Sequence, residues 1–202
     1  MSRKGCFNVS LKRTSITTLS KNDIQYTEES YALRIKRSDE SKSNAWIITI
    51  ERFEEYKVIV LSFYLTKHRN GKGAKKFTRN TGDDCIDPIV TLQLFRECIK
   101  LCRNEQNESY SFCFYALDDE YNTRREDMNR RMAVFTMFLQ RREDLKNHIL
   151  VNIGNIQDSI YLGYDPQKCS QETMQSFLTF YKPILTQEIK DLFLGEQESK
   201  KL

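Results

Sequence analysis

The sequence predicts an α+β domain, a mixed and largely antiparallel sheet with three main helices packed on it. Three observations carry that reading. Before residue 66, apolar segments of period two follow one another across short polar turns, which favours antiparallel pairing of neighbours. Asp87-Pro88 then marks a helix start, Asp as N-cap and Pro at the first helical position, where its missing N–H costs nothing. Beyond it helices and strands alternate, and a β-α-β crossover brings in parallel pairing. With 202 residues, 39% of them apolar and 11% aromatic, the chain has the makings of a real core. A chain of this size buries roughly 70% of the surface it exposes when unfolded. Residues 1–195 are therefore expected as a single domain, and 196–202 as a frayed polar tail.

Phe7-Asn8-Val9-Ser10-Leu11 alternates as a half-buried strand does, and the Ser- and Thr-rich stretch from there to about Glu29 reads as irregular. Tyr31, Leu33 and Ile35 alternate with Ala32, Arg34 and Lys36 in an edge-like strand with one wet face. Trp46 to Ile50 is the next strand, and Glu54-Glu55 turns into another, Tyr56 to Leu65. That strand is apolar on both sides, Val58 and Val60 on one, Ile59, Leu61, Phe63 and Leu65 on the other. It belongs in the middle of a sheet covered on both faces. In the helix after Asp87, Ile89, Leu92, Phe95, Ile99 and Cys102 form the expected packing stripe. Tyr110, Phe112 and Phe114 supply strong β-formers for the following strand. A charged turn, Asp118 to Arg125, opens a second helix with Met128, Met132, Phe135 and Leu139 on one face. Ile149 to Ile153 and Ile160 to Leu162 are strands framed by Gly154-Asn155 and Asp158. Ser170 caps a last helix, and Pro183 inside it predicts a kink or a break.

Charge and cysteine usage narrow the class. A net charge of +4, with 30% charged residues of both signs, describes a well-solvated surface with a mild basic bias, short of the lopsided charge of most nucleic-acid domains. No apolar run of signal-peptide length follows the start. The longest apolar stretch, Val58 to Leu65, contains Ser62 and is too short to cross a bilayer. A cytoplasmic protein with no membrane contact is expected. The cysteines, at 6, 85, 98, 102, 113 and 169, have irregular spacing that fits reduced thiols rather than a disulfide framework. Buried free cysteine packs as a small hydrophobe.

The most unusual segment runs from Lys67 to Arg79. Lys67, Arg69, Lys72, Lys75, Lys76 and Arg79 stand there beside His68 without one carboxylate, and Gly71 and Gly73 free the backbone to curl around a ligand. Backbone N–H groups together with Lys and Arg suit a phosphate. The plainer reading is a solvated connector between strand and helix. A second basic cluster, with Arg124 and Arg131, opens the predicted second helix among acids that neutralise much of it through helix-face pairs. An anionic partner, nucleic acid or a phosphate-bearing ligand, is the expectation from these residues. No cofactor and no metal is called for: Walker A, GxGxxG, CxxC, HExxH and GxSxG are all absent. Asp83-Asp84 and Asp118-Asp119-Glu120 are acidic pairs of the sort that hold Mg²⁺, although adjacent acids are also ordinary turn residues.

Two resemblances follow from residues already quoted. The order of elements from Tyr31 to Tyr164 resembles the GNAT acyltransferases. His68-Arg69-Asn70-Gly71-Lys72-Gly73 is similar to that family's phosphate loop, [QR]-x-x-G-x-[GA], at every position but the first. The resemblance implies a GNAT-like topology and coenzyme A on the Gly71/Gly73 loop. Phe63-Tyr64-Leu65, the lysines up to Phe77, Ser111-Phe112-Cys113-Phe114 and Asn122-Thr123-Arg124 through Arg131 resemble a set of small uncharacterised bacterial proteins, which implies no activity.

Overall fold

The computed structural model describes residues 7–38, 43–66, 88–104, 110–117, 149–152, 158–164, 167 and 169–198. Among them, seven strands form one sheet in the order β1-β2-β3-β4-β5-β7-β6. The strands are β1 Phe7–Lys21, β2 Ile24–Arg37, β3 Asn44–Phe53, β4 Val58–Leu65, β5 Ser111–Leu117, β6 Ile149–Asn152 and β7 Asp158–Tyr164. Two described helices accompany them, α1 Pro88–Cys102 and α2 Gln171–Glu198. Neighbours pair antiparallel except β4 and β5, which are parallel across the α1 crossover. The fold is thus α+β on a mixed, largely antiparallel sheet. The second helix expected after Asp118 lies outside the described residues.

The first hairpin corrects the sequence reading. The stretch from Lys12 to Glu29 is strand, not irregular chain: β1 and β2 pair from Phe7↔Arg37 to Lys21↔Ile24. Asn22 and Asp23, at φ 45° and 67°, form the two-residue turn. Both central residues of such a turn must be left-handed to match the strand twist, and Asn and Asp tolerate that best after glycine. The Thr and Ile residues of β1 favour the pleated backbone. With β1 outside it, β2 is an interior strand rather than an edge, and Leu33 and Ile35 are fully buried.

β4 lies as expected. Ile59 and Leu61 join one core cluster with Phe112 of β5, Trp46, Ile48 and Ile50 of β3 and the buried side of α1. Val58 and Val60 join the other, with Tyr26, Phe53 and the α2 residues Met174, Phe177 and Tyr181. A central strand with alternating residues in two separate cores has a helix over each face.

The α1 stripe needs correction. Val90, Leu94, Cys98 and Leu101 are buried together with Phe95, Ile99 and Cys102, whereas Ile89 is 53% and Leu92 38% exposed. Apolar residues occupy more than one side of this helix, so periodicity alone left its rotation open. At α2 the Ser170 cap is as expected: its hydroxyl accepts the Thr173 N–H at 3.1 Å, and its carbonyl accepts that of Met174 at 3.1 Å. The helix continues through Pro183 without a break. No helix among the described residues is long and apolar enough to cross a membrane.

Candidate functional site

β4 and β5 stop pairing before either strand ends. Their ladder runs from Val58↔Ser111 to Leu61↔Phe114 and ends there. β4 continues to Leu65 beside Trp46 of β3, and β5 continues to Leu117 beside Asp158 of β7. Burial follows the ladder: Val58 to Leu61 are buried, and Ser62 to Leu65 only partly so. Phe63 packs edge-on against Phe95 of α1, with centroids 5.7 Å apart. The chain thus ascends β4, returns through α1 and ascends β5, bringing two carboxyl strand ends to one side of the sheet. Ends of parallel strands at such a point are where open α/β sheets bind ligands.

Both basic segments singled out in the sequence leave from those ends. Lys67, His68, Arg69, Gly71, Lys72, Gly73, Lys75, Lys76 and Arg79 follow Thr66 after β4, and Arg124 and Arg131 follow Leu117 after β5. All eleven lie outside the described residues, as do Asp83, Asp84 and the acids at 118–120. The described residues locate the departure points of the segments.

Three groups of charged side chains in and beside the described sheet are paired where they stand. Glu29, 1% exposed, accepts the Tyr31 hydroxyl at 2.5 Å and the Arg52 guanidinium at 2.6 Å, with Arg13 at 3.6 Å. Burial pushes the Glu29 carboxyl up, but the two hydrogen bonds and the positive charges outweigh it and hold the pKa below 4.5. The same burial, with the bond to Glu29, pushes the Tyr31 phenol up to about 12. On the opposite face, Lys21 binds both Glu51 oxygens at 2.8 and 3.0 Å, and the Tyr181 hydroxyl donates to Glu51 at 3.1 Å. The Lys21 ammonium also lies 5.1 Å from the Tyr26 ring and 5.5 Å from that of Tyr181.

A third group closes the β3–β4 turn, where Lys57 adopts φ 53° and its ammonium binds Glu54 at 3.0 Å. The Tyr110 hydroxyl donates to Glu54 and lowers its pKa. Lys57 and Arg52 stand 5.0 and 5.9 Å from the Tyr110 ring. These groups tie strands together at the amino end of β4, away from the carboxyl ends of β4 and β5.

The thiols of the described residues are closed as well. Cys98, Cys102, Cys113 and Cys169 are free and buried. Burial pushes Cys102 and Cys113 up to about 12 and raises Cys98 and Cys169, so these thiols stay protonated at neutral pH and are poor nucleophiles. No group of three or more His, Cys, Asp or Glu among the described residues is placed to hold a metal.

Sequence reading missed the Glu29 network because it read the segment around Glu29 as irregular. The signal was nonetheless present: Glu29 is in step with Tyr31, Leu33 and Ile35, the buried face of β2. Comparison with protein-family models, curated proteins and solved structures found no match in any of the three.

Proposed function

We propose that this chain is a cytosolic accessory or interaction protein that contacts an anionic partner through the segment from Lys67 to Arg79, assisted by Arg124 and Arg131. The observation that supports this reading is the end of the β4–β5 ladder at Leu61↔Phe114, from whose two strands both basic segments depart. Cations delivered to one side of a sheet from adjacent strand ends sum their fields, and glycines there permit backbone N–H groups to join them. Arg13, Lys21 and Arg52 of the described sheet have acidic partners in Glu29 and Glu51; the run from Lys67 to Arg79 contains no acid.

Binding to heparin and to single-stranded nucleic acid across a salt series tests this. The wild type should bind with a steep salt dependence. Replacing Lys72, Lys75 and Lys76 by alanine should flatten the logarithmic slope by about 2 to 3, close to one unit per lost phosphate contact. Retention insensitive to salt would count against it.

A second reading, a GNAT-like acyltransferase or coenzyme A-binding protein, draws on the order of elements. β2-β3-β4-α1-β5, then β6 and β7 after residues 118–148, follows the sequence of that family's core. The direct β1–β2 hairpin departs from it, because the family carries two helices ahead of its meander. A rise in melting temperature with acetyl-coenzyme A is expected on this reading. No shift at millimolar ligand would dismiss it.

A further inference from the structure

We propose that the outer edge of β1 is a strand-addition site for an extended acidic segment of another protein. β1 is fifteen residues long, is exposed at every residue from Asn8 to Ser20, and pairs among the described residues with β2 alone. A strand at a sheet edge turns a row of backbone donors and acceptors outward, a template for another strand.

The side chains show the same incompleteness. The ladders place Leu11, Leu33, Trp46 and Leu65 in one cross-strand row, and Val9 beside Ile35 in the next. Within the first row Leu33 is 0% and Trp46 2% exposed, but Leu11 is 37% exposed because the row stops there. Val9, Ile16 and Leu19 are exposed on the same strand. One more strand would cover Val9 and Leu11 as β3 covers Leu33.

Charge selects the occupant. Residues 7–21 contain Lys12, Arg13 and Lys21 and no acid. Lys21 turns to Glu51, and Arg13, on the Leu11 face, stands 3.6 Å from Glu29, so Lys12 on the opposite face supplies the outward charge. Antiparallel pairing with a second copy, overlapped along its length, would bring Lys12 and Arg13 of both chains within a few residues of the axis. The register shift between Arg13 and Ser15 falls in the same place. Like charges and a bulge at the middle of an edge disfavour self-pairing, and an alternating segment with its apolar residues beside Val9 and Leu11 sets its acids beside Lys12.

The probes are two fluorescein-labelled ten-residue peptides, one alternating valine and glutamate, the other valine and lysine. Fluorescence anisotropy should show the glutamate peptide binding about tenfold or more tightly than the lysine peptide. Amide NMR shifts on binding should concentrate in residues 7–21. Lys12→Glu, at an exposed position, should reverse the preference, and Leu11→Asp should weaken binding of the glutamate peptide. Binding should persist in the Lys72→Ala/Lys75→Ala/Lys76→Ala variant, which separates this site from the basic segment. Equal affinity for both peptides, no binding of either, or loss in the triple variant overturns the proposal. So does a dimer in sedimentation that Leu11→Asp abolishes, because the occupant would then be a second copy.

Discussion

The Arg52 guanidinium reaches the Glu29 carboxylate at 2.6 Å along a diagonal of the β2–β3 ladder, where Glu29 faces Ile50 and Arg52 faces Thr27. Diagonal neighbours on one face of a sheet lie within reach of long side chains. The Glu29 side chain is only 2% exposed and that of Arg52 12%, so neither charge keeps much water. Removing one partner should be costlier than the pair's net contribution.

Glu29→Gln is therefore expected to lower unfolding stability by roughly 3 kcal/mol, the lower part of the range for an orphaned buried charge, because Arg52 retains an edge in solvent. Urea denaturation followed by circular dichroism measures it. A loss below half that value would mean the network relaxes around the missing charge.

The same network sets two limits on pH stability. The Glu29 pKa is lowered on folding, so its contribution is present above 4.5 and is lost as pH falls below that value. The Tyr31 pKa is raised from 10.0 to about 12, so its contribution is present below 10 and is lost as pH climbs between those values. Thermal melts from pH 3 to 12 should show both declines. In Tyr31→Phe the alkaline decline should shrink, while the midpoint at neutral pH falls through loss of the hydroxyl's bond to the carboxylate.

Phe177 anchors α2. It is fully buried, with ring centroids 5.6 Å from Phe53, 5.5 Å from Tyr56 and 5.2 Å from Tyr181. Phe177→Ala should cost about 3–5 kcal/mol through lost burial and the cavity left behind. Chemical denaturation reads the loss, and a fall under about 1 kcal/mol would place α2 outside the cooperative core.

Native alkylation with iodoacetamide at pH 8 should spare Cys98, Cys102 and Cys113, which are buried and protonated. In denaturant all three should react. Peptide mass spectrometry distinguishes them, and prompt native labelling of Cys113 would mean that β5 opens readily.

Ser111 should tolerate loss of its hydroxyl. That oxygen is buried and makes no hydrogen bond of standard geometry, its interaction with Cys169 being the weak one of a thiol. Its backbone N–H, which donates to the Lys57 carbonyl at 2.8 Å, is untouched by substitution. Ser111→Ala should leave the midpoint unchanged or raise stability by up to about 1 kcal/mol.

Elements with an unambiguous local period were legible in the sequence. Val58 and Val60 divide from Ile59 and Leu61 onto two cores as their alternation dictates, and Ser170 caps α2 because its side chain suits that position. β1 was harder to read: its polar, Thr-rich chain lacks a strong apolar face, and only pairing with β2 reveals it as a strand. Asn22-Asp23 carried the signal for that hairpin. The candidate site was legible as a composition, six cations and two glycines between β4 and α1, but not as a place.

The sequence by itself determined the α+β class, the antiparallel opening, the parallel return through α1 and the two-sided burial of β4, because backbone periodicity and caps are local properties. Only the tertiary structure decided which side of α1 faces inward, which strand forms the open edge, and how Glu29 meets Arg13, Tyr31 and Arg52. Those outcomes depend on contacts between segments far apart in the chain, where the free energy of burial is shared and no single segment encodes the choice.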